Sequence, residues 1–125
     1  MYKLLIADDE PIILIAYKRT LNKSISGLEI ECANNGQEAL VKFLADPNSY
    51  DLVITDNNMP KMTGMEFLEN IQKYNLPKIL ISGTLNYQII QQAEQYGISK
   101  TMEKPFESED LIKIVQELLG IDESQ

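Results

Sequence analysis

Short runs of apolar residues alternate along the chain with segments in which apolar residues recur every three or four positions. Three of the runs are continuous, at 4–7, 52–55 and 79–81, a pattern typical of parallel strands whose two faces are both covered. Two other runs, at 28–32 and 99–103, mix apolar with polar residues, as half-exposed strands at the edge of a sheet do. The pattern therefore predicts three central strands and two edge strands.

Five helices are predicted between and after these strands. Pro11 fits the first turn of a helix that runs to about Lys23, and the second helix is predicted over 36–45. The spacing of Thr63 and Glu66 is that of a capping box at the start of the third helix. The residues predicted to face the core on the last four helices are Ala39, Leu40, Phe43, Leu44, Phe67, Leu68, Ile71, Ile89, Ile90, Ala93, Tyr96, Leu111, Ile114, Val115 and Leu118.

Five successive β–α units of this length predict an α/β fold, a doubly wound sandwich with a five-stranded parallel sheet and helices on both faces. A chain of 125 residues can bury one core and is short for two ordinary domains. We therefore expect a single domain over 1–121 and a frayed tail over 122–125. Ligands of such sheets bind beyond the carboxyl ends of the strands.

Charge and composition exclude several classes of function. The formal net charge is −8, which opposes any broad attraction to nucleic acid or to an anionic membrane. The single cysteine, Cys32, cannot form an internal disulfide, and no segment approaches the roughly 20 apolar residues of a membrane span. We expect a cytoplasmic protein with no direct contact to nucleic acid or membrane.

Polar side chains follow four of the five predicted strands. The first strand leads into Asp8 and Asp9, the third into Asp56, the fourth into Ser82 and the fifth into Lys104. Because parallel strands bring their carboxyl ends to one edge of the sheet, we expect these side chains to lie close together. Neighbouring carboxylates raise one another's pKa unless a cation joins them.

A hard divalent cation suits this group of acids. Mg²⁺ prefers carboxylate, carbonyl and water oxygens, whereas a chain with no histidine and one cysteine offers little to zinc or iron. A magnesium ion beside a lysine and a hydroxyl is typical of sites that catalyse phosphoryl transfer, because Mg²⁺ and the lysine ammonium neutralise charge on the oxygens of the transferred group. Asp56, at the end of a central strand, is the best placed nucleophile and would form an acyl phosphate.

Four short motifs stand at the ends of predicted strands. They are Asp8-Asp9-Glu10-Pro11, Asp56-Asn57-Asn58-Met59-Pro60 with Gly64 four residues on, Ile81-Ser82-Gly83, and Lys104-Pro105-Phe106. In this order they resemble the motifs of a known family, the receiver domains of two-component response regulators, over essentially the whole chain. The resemblance implies the flavodoxin-like strand order 2-1-3-4-5. It also implies a phosphorylation-dependent signalling switch that catalyses only its own phosphorylation and dephosphorylation.

The resemblance implies specific roles at the acidic site. Asp56 would be the phosphoacceptor. Asp8, Asp9 and Asp56, with the backbone carbonyl of Asn58, would bind Mg²⁺, for which Mn²⁺ could substitute.

The resemblance assigns the neighbouring residues to the phosphoryl group itself. Lys104 would pair with its oxygens, Ser82 would donate a hydrogen bond to one of them, and Gly83 would leave room beside it. Pro105 would follow a cis peptide bond, as the corresponding proline does in the family.

Three further positions bear on how the switch responds. Asn58 and Thr84 would flank the path of an attacking water and so tune the lifetime of the phosphoryl group. The family usually has Tyr or Phe three residues before the lysine, where this chain has Thr101. An aromatic side chain that swings inward on activation is therefore not expected here, although Thr101 could respond through smaller shifts.

The implied partners are a histidine kinase or a histidine phosphotransfer protein, and a downstream protein or output domain that contacts the last two helices and the fifth strand. The first helix has a continuous apolar block over 12–17, more than one buried stripe needs. We expect Ile12 and Ile15 to contact the phosphodonor. The alternative is that they are scattered exposed apolar residues, which are common on protein surfaces.

Other functions compete with this interpretation. Asp8 and Asp9 alone could simply stabilise the start of the first helix. A phosphatase of the haloacid dehalogenase type also uses Asp, Mg²⁺ and Lys, but it needs a second acid two residues after the nucleophile, where this chain has Asn58. A flavodoxin-like cofactor binder would need a phosphate-binding loop in place of the acids at 8–10. A receiver-shaped interaction module that is never phosphorylated is the third alternative.

Overall fold

The computed structural model describes residues 1–121, and the tail predicted over 122–125 lies outside the described residues. The strands are β1 (Tyr2–Ala7), β2 (Leu28–Ala33), β3 (Leu52–Asp56), β4 (Lys78–Ser82) and β5 (Lys100–Glu103). The helices are α1 (Pro11–Ser24), α2 (Gly36–Ala45), α3 (Gly64–Asn70), α4 (Tyr87–Gln95) and α5 (Ser108–Leu119). Strands and helices alternate throughout, as the sequence predicts.

The five strands form one parallel sheet in the order β2-β1-β3-β4-β5. β1, β3 and β4 are central, and β2 and β5 are the edges, so the predicted fold and strand order are confirmed. Asp56 is paired with Ile81, and Ser82 with Glu103. The ends of the strands are therefore aligned, and the residues that follow them meet at one edge.

Two hydrophobic cores cover the two faces of the sheet. Along β1, Leu4 and Ile6 point into the core under α1 and α5, whereas Leu5 and Ala7 point into the core under α2, α3 and α4. This alternation follows from the two-residue repeat of a strand. Burial of each large aliphatic side chain stabilises the fold by about 1.5–3 kcal/mol, so the sheet is a rigid support for the residues at its edge.

Several predicted helix ends are confirmed. Pro11 occupies the first turn of α1. Thr63 and Glu66 form the predicted capping box, with each side chain accepting a hydrogen bond from the other's backbone amide. Gly120 ends α5 in the left-handed conformation, with φ of 74°, which glycine adopts without a steric penalty.

Two residues predicted to be buried are exposed, and those predictions were wrong. Leu44 is 47% exposed and Ile90 is 40% exposed. On α2 the buried stripe is centred on Ala39 and Phe43, and Leu44 lies about 100° around the helix from Phe43. On α4 only Ala93 is fully buried, and Ile90 lies on the flank that borders a groove beside β5.

Within residues 1–121, no helix combines the length and the apolar character that crossing a membrane demands.

Candidate functional site

Asp56 is the last residue of a strand that is otherwise fully buried, and it is itself only 6% exposed. Its Oδ2 accepts a hydrogen bond from the backbone amide of Asn58 at 3.0 Å. Its Oδ1 lies 2.8 Å from Nζ of Lys104. Both carboxylate oxygens are therefore held in position by the chain.

Lys104 reaches this carboxylate from the loop that follows β5. Its amide donates to the backbone oxygen of Ser82 at 2.9 Å, and its Nζ lies 3.8 Å from Oδ2 of Asp8 as well as beside Asp56. Burial lowers the pKa of Lys104, but the hydrogen bond and the charge of Asp56 outweigh burial and raise it. The peptide bond between Lys104 and Pro105 is cis, as expected.

Asp8, Asp9 and Asp56 each offer a carboxylate oxygen within 4.8 Å of the other two. Asp8 is 1% exposed, and its Oδ1 accepts from the amide of Glu10 at 2.9 Å. Among residues 1–121, its Oδ2 is buried and has no hydrogen-bond partner. Burial raises the pKa of Asp8, and the charge of Asp56 raises it further against the opposing hydrogen bond from Glu10.

A divalent cation fits these residues well. A buried carboxylate oxygen without a partner is costly to ionise, and the negative charges of the three acids oppose one another. Oxygen ligands at this spacing are the donor set that Mg²⁺ prefers. The arrangement is therefore suited to hold a hard cation against Asp8 and Asp56.

Ser82 ends β4 and forms hydrogen bonds with the loop that follows it. Its hydroxyl donates to the backbone oxygen of Thr84 at 2.8 Å and accepts from the Thr84 amide at 3.2 Å. Gly83 between them faces open space, since a Cβ there would meet no heavy atom within 4 Å. The loop is also held by Glu103 on β5, whose carboxylate accepts from the amide of Leu85 at 3.0 Å.

Thr101 and the side chain of Asn58 do not join this cluster. Thr101 is half-buried on β5 and borders the groove beside α4, with Ile90 and Ala93. Asn58 is exposed, and only its backbone amide, which donates a hydrogen bond to the Asp56 carboxylate, contacts the cluster. Thr84 is also exposed, at the rim of the site.

Two glycines position the loop after Asp56, and sequence reasoning assigned neither of them this role. A Cβ on Gly64 would lie 2.2 Å from the backbone oxygen of Asp56, and a Cβ on Gly36 would lie 2.4 Å from that of Met62. Both distances are far shorter than a van der Waals contact. The amide of Gly36 also donates to Met62 at 3.2 Å, so the start of α2 contacts the loop directly. The sequence marked Gly64 as part of the second motif and Gly36 as the start of a predicted helix, but it gave no sign of either close contact.

An aromatic pair also lies next to the site and was not predicted. Phe106, two residues after Lys104, stacks on Tyr17 of α1 with ring centroids 6.2 Å apart. Burial raises the pKa of Tyr17 to about 12, although the charge of Lys104 acts in the opposite direction. The apolar residue after Lys104-Pro105 was visible in the sequence, but its contact with a helix about 90 residues earlier was not.

Comparison with known proteins identifies the family of this chain. Residues 4–116 match the sequence model of the family described as the response regulator receiver domain. The chain belongs to this family. Receiver domains are phosphorylation-dependent signalling switches of two-component systems, and the resemblance seen in the sequence is confirmed.

Similar receiver domains occur in solved structures and in longer proteins. The chemotaxis protein CheY4 of Vibrio cholerae is 32% identical, with a TM-score of 0.85 over 95% of this chain and 99% of that one. A receiver domain protein from Clostridium thermocellum is 31% identical, with a TM-score of 0.86 over 96% of this chain and 95% of that one. The CpxR homolog of Haemophilus influenzae, a transcriptional regulatory protein, is 35% identical over 95% of this chain and 51% of its own length.

The chain spans about half or less of the length of the curated relatives it matches. It covers 51% of the CpxR homolog, and 5% of the histidine kinase mak3 of Schizosaccharomyces pombe, to which it is 30% identical over 94% of its own length. The segments similar to this chain in these two relatives are thus parts of longer proteins.

Proposed function

We propose that this receiver domain accepts a phosphoryl group on Asp56 from a histidine kinase or a histidine phosphotransfer protein, in a reaction that needs Mg²⁺. The observation that supports the proposal most directly is the convergence of charged side chains around Asp56. Its carboxylate is buried at a strand end, 2.8 Å from the Lys104 ammonium and close to the carboxylates of Asp8 and Asp9. Buried charges arranged in this way are typical of functional sites.

The transfer exchanges one bond to phosphorus for another. A carboxylate oxygen of Asp56 forms a bond to phosphorus as the bond to the donor's imidazole nitrogen breaks, and the imidazole keeps that electron pair and takes up a proton. Asp8, Asp9, Asp56 and the backbone carbonyl of Asn58 would hold the cation. When bound, Mg²⁺ neutralises charge on the phosphoryl oxygens, and Mn²⁺, with similar ligand preferences, would substitute.

Lys104 and Ser82 would respond to the charge that phosphorylation adds to Asp56. The Lys104 ammonium lies against Asp56 before transfer and would pair with a phosphoryl oxygen afterwards, since a phosphoryl group is the stronger charge-assisted acceptor. The Ser82 hydroxyl would exchange its bond to the Thr84 carbonyl for one to the phosphoryl group. Gly83 would leave room for that group, and the released loop would shift α4.

The surface that responds is formed by α4, β5 and α5, and we assign to it the contact with a downstream protein or output domain. Thr101 lies within this surface, in the groove beside α4. Its small side chain would transmit only modest shifts.

Asn58 and Thr84, both exposed at the rim, would control access of the water that hydrolyses the acyl phosphate. The domain thus acts chemically only on itself, and its location in the cytoplasm stays a prediction.

One position argues against a haloacid dehalogenase type of phosphatase. The residue two positions after Asp56 is Asn58, whose backbone amide binds the Asp56 carboxylate. A carboxylic acid able to protonate a leaving group is thus missing from the position where that reaction requires it.

Intact mass spectrometry after incubation with acetyl phosphate and Mg²⁺ tests the proposal. The protein should gain about 80 Da, the mass of one phosphoryl group, and Asp56→Asn should gain nothing, because an amide is a poor nucleophile. Asp51→Asn is the matched control, since Asp51 immediately precedes the same strand and its carboxylate accepts a hydrogen bond from the backbone amide of Lys3, far from the acidic edge. A gain of mass in Asp56→Asn, or none in the native chain with Mg²⁺, would contradict the proposal.

A further inference from the structure

We propose that Glu103 is a positioning residue for the switch. Its hydrogen bond to Leu85 holds the loop between β4 and α4 in the resting arrangement and so opposes phosphorylation. This role rests on the proposed phosphorylation of Asp56 and adds a residue that regulates the same site.

The Glu103–Leu85 contact joins the sheet to the loop. Oε2 of Glu103, the last residue of β5, accepts from the backbone amide of Leu85 at 3.0 Å. Glu103 is itself paired in the sheet with Ser82, the last residue of β4. The carboxylate therefore extends from a position fixed by the sheet to a loop residue three positions beyond Ser82.

The same contact bears on the start of α4. Leu85 immediately precedes Asn86, whose side chain accepts from the amide of Ile89 at 2.9 Å and caps the helix. The first turn of α4 contains no acidic residue, so Glu103 supplies a negative charge near the positive end of the helix dipole. The position of Leu85 is thus coupled to that of the helix.

Phosphorylation would act on the neighbouring residue of the loop. In the resting arrangement the Ser82 hydroxyl donates to the backbone oxygen of Thr84 at 2.8 Å, and Thr84 directly precedes Leu85. When that hydroxyl turns to a phosphoryl oxygen, Thr84 is released and the loop shifts, whereas Glu103 stays in β5. A hydrogen bond is lost once its two heavy atoms are more than about 3.5 Å apart. The Glu103–Leu85 contact would therefore exist in the resting state alone.

The link between β5 and the loop falls to Glu103 because its neighbour on the same face is small. Met102 packs into the core under α1 and α5, so Thr101 and Glu103 on either side of it point to the opposite face, towards α4. Thr101 is half-buried in the groove beside α4. Glu103 has the longer side chain and bonds the loop directly.

A bond that is present in the resting state alone shifts the balance between the two states. It stabilises the resting protein and is broken when the phosphoryl group engages Ser82, so a phosphoryl analogue binds more weakly by the corresponding factor. The net contribution of a typical protein hydrogen bond corresponds to about a three- to tenfold change in an equilibrium constant. Removal of the Glu103 carboxylate should therefore strengthen binding by this factor.

Titration with beryllofluoride and Mg²⁺, which together mimic a phosphoryl group on an aspartate, tests the inference. Glu103→Ala should bind the analogue about three- to tenfold more tightly than the native chain. Without the analogue, its folding equilibrium constant should fall by the same factor, because the lost bond stabilises only the resting state. With the analogue in equal saturating excess, the two proteins should unfold at the same denaturant concentration.

Two variants serve as controls. Glu103→Gln removes the same charge but keeps an oxygen that can accept from Leu85, so its affinity should lie much closer to the native value than that of Glu103→Ala. Asp51→Ala removes a carboxylate that accepts from the Lys3 amide at 2.8 Å, outside the loop. It should destabilise the protein equally with and without beryllofluoride and leave the affinity unchanged.

Amide hydrogen exchange observes the contact directly. Without metal or analogue, the Leu85 amide should exchange more slowly in the native chain than in Glu103→Ala, because only the native chain offers it the carboxylate. Beryllofluoride with Mg²⁺ should remove this protection from the native chain. The result does not depend on any partner protein or on the rate of phosphorylation.

Three outcomes would overturn the inference and leave the proposed function intact. The first is binding of beryllofluoride by Glu103→Ala that is no tighter than by the native chain. The second is equal tightening in Glu103→Gln and Glu103→Ala, which would assign the effect to charge instead of the hydrogen bond. The third is a Leu85 amide that stays protected in the beryllofluoride complex. A native chain that does not bind beryllofluoride with Mg²⁺ would instead contradict the proposed function.

Discussion

Asp8 combines nearly complete burial with an oxygen that has no partner. Its Oδ1 is stabilised by the Glu10 amide, whereas its Oδ2 has no hydrogen bond within residues 1–121 and lies 3.8 Å from Lys104. Leaving a buried acceptor unsatisfied usually costs about 1–3 kcal/mol. The metal-free protein is therefore destabilised at this residue, and a bound cation would relieve the destabilisation.

The replacement Asp8→Asn should therefore increase the free energy of unfolding at pH 7 without Mg²⁺, by about 1 kcal/mol. Burial raises the pKa of Asp8 above its ordinary 3.8, so the native protein loses stability as the pH rises from about 3.8 through the raised pKa. The extra free energy of unfolding in Asp8→Asn should appear over the same pH range and vanish below it. Chemical unfolding followed by circular dichroism at several pH values measures it.

Addition of Mg²⁺ should reverse the order of stability. A ligand at 100 times its dissociation constant stabilises a protein by about 2.7 kcal/mol, and Asp8→Asn should gain much less than the native chain. Asp9→Asn is the matched control. Because Asp9 is exposed, this variant should lose the stabilisation by Mg²⁺ without any gain in the stability of the metal-free protein. An Asp8→Asn variant that Mg²⁺ stabilises as strongly as the native chain would contradict this account of the residue.

At the scale of elements, the two loops that border the site are held in different ways. The loop from β3 to α3 is held by close backbone contacts at Gly36 and Gly64, which leave no space for a side chain at either position. The loop from β4 to α4 is held by side-chain hydrogen bonds from Ser82 and Glu103, which can exchange partners. The first loop thus provides a fixed site, and the second can respond to phosphorylation.

The variant Gly36→Ala should test whether α2 positions the first loop. The added Cβ would lie 2.4 Å from the Met62 carbonyl oxygen, so the loop must move. We expect the dissociation constant for Mg²⁺ to rise about tenfold and the free energy of unfolding to fall by about 1–3 kcal/mol, as in other overpacked sites. Calorimetric titration with Mg²⁺ and chemical unfolding measure the two effects.

Gln37→Ala, at the next and exposed position of α2, is the control and should change neither quantity by much. Unchanged Mg²⁺ binding in Gly36→Ala, with stability lost as expected, would mean that the loop keeps its position without this contact.

At the scale of the whole molecule, the sequence was informative where a local pattern decides the structure. Continuous apolar runs identified the central strands, and the residues after them identified the site, because the carboxyl ends of parallel strands must share an edge. The exposure of Leu44 and Ile90 was not predictable, since it depends on how deeply each helix packs against the sheet. The stacking of Tyr17 on Phe106 and the contact of Gly36 with Met62 join distant segments and leave no periodic pattern.

The most direct test of the central claim is to locate the acyl phosphate on the chain. The protein is treated with acetyl phosphate and Mg²⁺ and then with borohydride, which reduces a phosphorylated aspartate to homoserine and leaves free carboxylates unchanged. Peptide sequencing by tandem mass spectrometry then reads the modified position. We predict homoserine at position 56 and at no other aspartate; homoserine at position 8 or 9, or at none, would contradict the account.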